Sequence, residues 1–259
     1  MQLDDFIQDV ARGAGEIIKS RYHTAKTWRA KTGRGDIVTE VDEESERYIL
    51  RRLCGEYPEY AVLSEESGAS GDNETAWIVD PLDGTRNYMM GIPFFCVSIG
   101  LAKNGRSEAG AIYDPIHDEM FYSRRGIGAF VNGEPIAVSN ETSVEDCVIS
   151  VSWVKNKVNR TRFIEYIEDL SKDTSYFRRF GSAALVMAYI ACGRLHGYMQ
   201  GGLHPWDIAA GVCLIEEAGG VVTDFEGNPI DLRQKDIEIV TSNPALHDIL
   251  FSEVICKHR

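Results

Sequence analysis

A mixed α+β fold, antiparallel-rich in its first half and alternating strand with helix in its second, is what this sequence predicts. Three observations carry that expectation. Two amphipathic helical patterns open the chain, short β-rich pieces joined by turn signals fill residues 60 to about 138, and strand and helix patterns alternate after residue 141.

Phe6, Val10, Ala14, Ile17 and Ile18 recur at helical spacing, which predicts a helix from residue 3 to about 22. The turn-rich KTGRGD follows. Thr39 with Asp42 three positions on has the form of a capping box ahead of a second helix carrying Val41, Ile49 and Leu53, closed by Tyr57, Pro58 and Glu59. The β-rich pieces YAVLSEE, AWIVD, FFCVSIGLA, EAGAIYDP, EMFYSRR and GAFVNGEPIAV are separated by Lys103 to Arg106, Asp114 with Pro115, Gly126 to Gly128, and Asn132 with Gly133. Strands following one another through such short turns favour antiparallel pairing. Beyond residue 141, CVISVSW, a helix around Arg160 to Ser171, YFRRF, the small-residue helix SAALVMAYIACG, LHGYMQG, the helix WDIAAGVCLIEEAGG, VVTDF, and a final strand and helix complete the chain. A boundary near Ser139 to Ser143 is expected to divide an N-terminal domain, 1–141, from a C-terminal domain, 142–259, sharing one interface. There is no internal repeat and no low-complexity stretch.

With 259 residues the chain can bury roughly three quarters of its unfolded surface. Its formal charge of -13 argues against direct nucleic-acid binding, which needs clustered Lys and Arg, and suits metal cations. Six scattered cysteines without a C-x-x-C pair read as reduced, buried thiols of a cytoplasmic protein. The N-terminus lacks the form of a secretory signal, and the longest apolar run falls short of the roughly 20 residues of a membrane span.

Acidic residues stand at the ends of apolar segments: Glu65 and Glu66 after AVL, Asp80 and Asp83 after WIV, and Asp207 opening WDIAAG. Such ends are where a rigid scaffold presents side chains to a cleft. Asp80, Asp83 and the Leu82 carbonyl can face one point across a tight turn, with Glu65 and Asp207 supplied from elsewhere. That oxygen-rich set suits Mg²⁺ and the paired-metal chemistry of phosphoryl transfer. Gly84 and Thr85 open the helical TRNYMM, whose free N–H groups would face an anion. Read singly, D-G is a turn, Asp42 a capping residue, Asp207 an N-terminal helix charge and His204 a structural histidine. Signatures of serine hydrolases, P-loops and Rossmann dinucleotide sites are absent.

Jointly and in order, LSEES, WIVDPLDGT and HPWDIAAG resemble the inositol monophosphatase family, Mg²⁺-dependent, lithium-sensitive phosphatases related to fructose-1,6-bisphosphatase. The likeness runs from DIVTEVD through GSAALVMAYIACGRLHGY to EEAGGVVTDFEGNPI. It implies a five-layered αβαβα sandwich, commonly a homodimer, with two or three Mg²⁺ per site. By position it implies metal ligands at Glu65, Asp80, the Leu82 carbonyl, Asp83 and Asp207, and phosphate-binding amides at Gly84 and Thr85. Thr85 and Glu65 would activate the attacking water, with Asp42 partnering Thr85 and Lys31 in the loop near the site. Gly181, Ser182, Ala183 and Gln200 would line the alcohol pocket together with Asp83 and Asp207. The implied reaction is in-line hydrolysis of a small alcohol phosphate, inositol 1-phosphate first, with histidinol phosphate or a sugar phosphate such as fructose 1,6-bisphosphate as alternatives. Gln200 replaces the acidic residue of inositol-selective members, and Arg86 adds a cation after DGT, as in histidinol-phosphatase-like branches. Two other readings are a family member acting mainly as a protein-interaction factor, and a structural Ca²⁺ loop.

Overall fold

The computed structural model describes residues 2–24, 28–30, 37–152 and 157–258. The chain begins with α1 (Leu3–Arg21), β1 (Trp28–Ala30), β2 (Ile37–Thr39) and α2 (Glu40–Glu56). Then come β3 (Ala61–Ser64), β4 (Gly68–Ser70), β5 (Thr75–Asp83), the short α3 (Thr85–Met90), β6 (Cys96–Lys103), β7 (Arg106–Asp114), β8 (Glu119–Arg124), β9 (Gly128–Val131) and β10 (Glu134–Pro135). The second half holds β11 (Ile149–Ser152), α4 (Lys157–Leu170), β12 (Phe177–Arg178), α5 (Ala183–Ala191), β13 (Gly197–Leu203), α6 (Pro205–Glu217), β14 (Val221–Thr223), β15 (Ile237–Ser242) and α7 (Pro244–Ile249). A π-helical turn over Leu250–Ile255 continues α7.

Among the described residues an eight-stranded sheet runs β10-β9-β8-β7-β6-β5-β3-β4 and a five-stranded sheet runs β12-β11-β13-β15-β14. The larger sheet is antiparallel except between β3 and β5, which pair in parallel with Ala61 opposite Ala76. That departs from the purely antiparallel expectation, because β4 and its following turn lie between the two strands in sequence and let β5 re-enter beside β3.

Strand alternation builds the layers. Trp77, Val79, Val97 and Ile99 join α1 and α2 in one core, while Ile78, Ile112 and Phe121 on the opposite face join α5 and α6. Tyr198 and Ile239 of the smaller sheet enter that second core, and its outer face, with Ile149 and Met199, packs on Phe163 and Tyr166 of α4 and on Leu250. The order is therefore helix, sheet, helix, sheet, helix. The α5/α6 layer packs against both sheets, so one core joins the two halves.

The approach of α6 to the larger sheet is set by glycine. Gly100 and Gly110 pair across β6 and β7, and a Cβ at Gly100 would stand 2.7 Å from the Ala209 Cβ. One at Gly110 would stand 2.5 Å from the Ala210 Cα. Missing side chains in the sheet let the helix backbone come close, which fixes where the first turn of α6 projects. Of the cysteines, Cys96, Cys147 and Cys213 are buried, whereas Cys54 and Cys256 are exposed because they fall on the outer sides of helical segments. Among the described residues no helix is long and apolar enough to cross a membrane.

Candidate metal centre

The end of β5 explains why two carboxylates three residues apart share a side. In a regular strand, positions i and i+3 point to opposite faces. Here Asp80 lies opposite Ser98 and Asp83 opposite Cys96, so β5 spends three residues where β6 spends two. The extra residue bulges the strand and re-aims Asp83. The Asp80 Oδ1 accepts from the Leu82 N–H at 3.0 Å, and the Pro81 carbonyl accepts from the buried Ser45 hydroxyl at 2.9 Å, which holds the turn. Gly84 follows at φ 91°, where a Cβ would meet the Phe94 carbonyl at 3.0 Å. Only glycine suits both demands.

Oxygens of Asp80, Asp83 and Asp207 all lie within 4.8 Å of one another, Asp207 arriving from the first turn of α6. The Asp207 Oδ2 accepts from the His204 N–H at 2.6 Å, so the residue caps its helix and also belongs to the cluster. His204 itself is exposed and stacks on Trp206 with ring centroids 4.6 Å apart. The Glu65 carboxyl hydrogen-bonds with Asp80, and its backbone N–H donates to the Val79 carbonyl at 3.1 Å. Burial, then the charges of Glu65, Asp83 and Asp207, push the Asp80 carboxyl well above the usual range. Burial raises Asp83 to about 6, against the lowering pull of Ser182 and the Ala184 N–H. Such acids, crowded and desolvated, cannot all ionise without a cation among them. The all-oxygen set of Asp80, Asp83 and Asp207 fits a hard divalent ion.

Thr85 opens α3, and its hydroxyl lies 3.0 Å from Asp42 Oδ1 and 3.1 Å from the Leu82 carbonyl, donating its single hydrogen between them. Asp42 is in turn held by the Thr39 N–H at 2.9 Å and by the Thr39 hydroxyl. It is thus both the capping-box residue and the partner of Thr85. Burial lifts its carboxyl to about 6, with the Thr39 and Thr85 hydrogen bonds opposing.

The GSAA segment reaches the cluster by a route that sequence reading missed. The Ser182 hydroxyl and the Ala184 N–H each donate to Asp83 Oδ2 at 2.7 Å, and the Ala183 backbone also favours that carboxylate. These groups grip Asp83 from the start of α5. Gly181, at φ 85°, leaves room for Asn87, whose Nδ2 donates to the Phe180 carbonyl at 2.7 Å and the Phe94 carbonyl at 2.8 Å. Asn87 thereby ties α3 to both loops. Glu46 was missed too: its Oε1 accepts from the Ser64 hydroxyl and from the Ser67 N–H at 3.0 Å, fixing the loop that carries Glu65. A signal was present, since Asp42, Ser45 and Glu46 fall at helical spacing on the same face as the apolar Ile49 and Leu53. Gln200 is half-buried on β13, where its Oε1 accepts from the Tyr198 hydroxyl. Arg86 is exposed on α3. Lys31 lies outside the described residues.

A model of the inositol monophosphatase family matches residues 1–258. The chain belongs to that family. A family member from Salmonella typhimurium, Nus factor SuhB, is 40% identical over 221 residues, 84% of this chain and 83% of that protein. The fructose-1,6-bisphosphatase/inositol-1-monophosphatase of Thermotoga maritima is 36% identical over 244 residues, 94% of this chain and 92% of that one. The crystal structure of extragenic suppressor protein suhB from Bartonella henselae superposes with a TM-score of 0.91 at 37% identity, covering 96% of this chain and 97% of that chain. The phosphatase family and its fold are therefore common ground for this chain and its relatives, while their names differ in the role they give.

Proposed function

We propose that this family member is a Mg²⁺-dependent phosphomonoesterase of small alcohol phosphates, with inositol 1-phosphate the first candidate. The observation that carries the reading is the convergence of Asp80, Asp83 and Asp207 oxygens within 4.8 Å, with Glu65 against Asp80. Bound Mg²⁺ supplies Lewis acidity toward the phosphoryl group and makes water a better nucleophile at neutral pH. Glu65, Asp80, the Leu82 carbonyl, Asp83 and Asp207 would hold it. Thr85, its hydrogen drawn toward Asp42 and Leu82, turns hydroxyl lone pairs outward and orients the attacking water, with Glu65 as the acceptor of the water's proton. The Gly84 and Thr85 N–H groups at the start of α3 take the phosphoryl oxygens. Lithium inhibition and a homodimer belong to the same reading, and exposed Met90, the last residue of α3, and Ile92 just beyond it give the latter an apolar surface.

Gln200 bears on the alcohol. The Tyr198 hydroxyl takes one acceptor position of the amide oxygen, and the neutral amide, unlike a carboxylate, also has Nε2 hydrogens to donate. An alcohol offering an acceptor, such as a sugar ring oxygen, then competes with inositol. Phosphate release from inositol 1-phosphate, histidinol phosphate, fructose 1,6-bisphosphate and a nucleotide monophosphate, each with Mg²⁺ and with chelator, ranks these by kcat/KM. Absence of Mg²⁺-dependent release from all four refutes the reading. A second reading, a protein-interaction factor, is favoured by the name Nus factor SuhB carried by relatives. It gains if a cellular phenotype of deletion is rescued by Asp83→Asn.

A further inference from the structure

Beside the carboxylate cluster, under the same face of the larger sheet, lies a cavity of about 530 Å³. Leu63, Ala76, Ile78, Ala102 and Leu232 give it apolar walls. Ile78 stands two residues before Asp80 on β5, about 7 Å along the same face. Pro205 and the stacked rings of His204 and Trp206, the latter one residue before Asp207, line the cavity where α6 begins. Elsewhere along its lining, the Leu232 N–H donates to the Gly105 carbonyl at 2.8 Å and brings Arg233 and Lys235 to the mouth. Arg233 is already engaged by Asp231, through Nε at 2.9 Å and Nη2 at 2.8 Å. Lys235 meets no carboxylate among the described residues. Glu74 also lines the cavity.

We propose that this cavity is a second ligand site, distinct from the phosphoryl site, for a planar and largely apolar small molecule bearing one anionic group. Its volume falls within the roughly 300–1,000 Å³ of small-molecule pockets. Aliphatic walls take a ring system, and the His204–Trp206 pair offers an aromatic surface for it to lie against. Lys235 complements a single negative charge. Glu74 repels a second, which excludes phosphate dianions and separates this occupant from the substrates of the carboxylate cluster. The site faces the metal centre through the first turn of α6, yet shares none of its ligating residues.

The test uses the full chain and the dye 1-anilinonaphthalene-8-sulfonate, an aromatic monoanion with a planar naphthalene ring system, followed by its fluorescence. Chelator-treated protein should bind one dye saturably, with no displacement by inorganic phosphate added with Mg²⁺. Ala76→Phe, which fills the cavity, should weaken binding at least about tenfold, and Lys235→Glu, at the exposed mouth, about fivefold. Circular dichroism confirms that each variant is folded. Should Ala76→Phe fail to fold, Lys235→Glu and Trp206→Phe, which removes the indole from the inner wall, carry the test. The site is overturned by no saturable binding, by displacement with phosphate, or by an affinity that the folded variants leave unchanged.

Discussion

At the cation end of the cleft, Asp83 is buried at the end of a bulged strand and takes hydrogen bonds from Ser182 and Ala184 on a different layer of the fold. At the end proposed for the alcohol, Gln200 sits half-buried beside its own strand irregularity, its amide oxygen held by Tyr198 from the same strand. The first residue is tied across layers. The second is tied locally. The difference teaches where change is tolerated: disturbing Asp83 disturbs the joint between the larger sheet and α5, while disturbing Gln200 alters what the cleft recognises and little else. On the proposed function, reaction type is built into the core, and substrate choice into residues that the core does not need.

The sharpest way to break this contrast is Asp83→Asn. It keeps the size of the side chain and the capacity to accept from Ser182, but removes a full charge from the cluster. Turnover should fall by at least about a thousandfold, as expected for loss of a charge that holds a catalytic ion, while circular dichroism stays native. Ser182→Ala comes next. Removing one charge-assisted hydrogen bond of roughly 1.5–3 kcal/mol should lower kcat/KM by about 10- to 100-fold and weaken the apparent Mg²⁺ affinity in parallel. A drop in kcat/KM without a change in Mg²⁺ dependence would instead place Ser182 against the alcohol.

The folded cluster also has a pH signature in chelator. Asp83 is raised to about 6 by burial, above its unfolded value, so the folded chain binds more protons between those two values. Stability from this group is therefore present at low pH and is lost as pH rises through the folded value. From about pH 4.5 to about pH 7.5 the melting temperature of the wild type should fall by about 5 °C relative to Asp83→Asn. Added Mg²⁺ should reverse that fall at neutral pH. A difference between the two proteins that stays flat with pH contradicts the buried, uncompensated carboxylate. The smallest effect is expected from Gln200→Glu. It should leave the melting temperature within about 1 °C and shift the kcat/KM ratio between inositol 1-phosphate and fructose 1,6-bisphosphate by about three- to tenfold toward inositol.

The layered order was legible only through the family resemblance, whereas the places of Asp80, Asp83 and Asp207 at element ends follow from local pattern: WIV reads as a buried strand, DG turns it, and PWD starts a helix. The pairing of β3 with β5 was not, since parallel pairing depends on the path of β4 and not on either strand. The bulge was hidden for a related reason, being a property of β5 against β6 and not of DPLD alone. Asp42 was visible in both its roles, one by capping pattern and the other by resemblance. Glu46 and Ser45 were overlooked because charge on a helix normally signals its solvated face, although their spacing from Ile49 and Leu53 puts them on the apolar face of α2. Ser182 and Asn87 act across 99 and 93 residues of sequence, a range at which spacing carries no information.

The central claim is that the buried carboxylates hold the cation that hydrolysis requires. Calorimetric titration of Mn²⁺ into chelator-stripped wild type and Asp83→Asn, with phosphate release followed in the same samples, tests it most directly. Binding and turnover should rise together in the wild type and both should be lost in the variant. Turnover without added cation, or binding that the variant retains in full, contradicts the account.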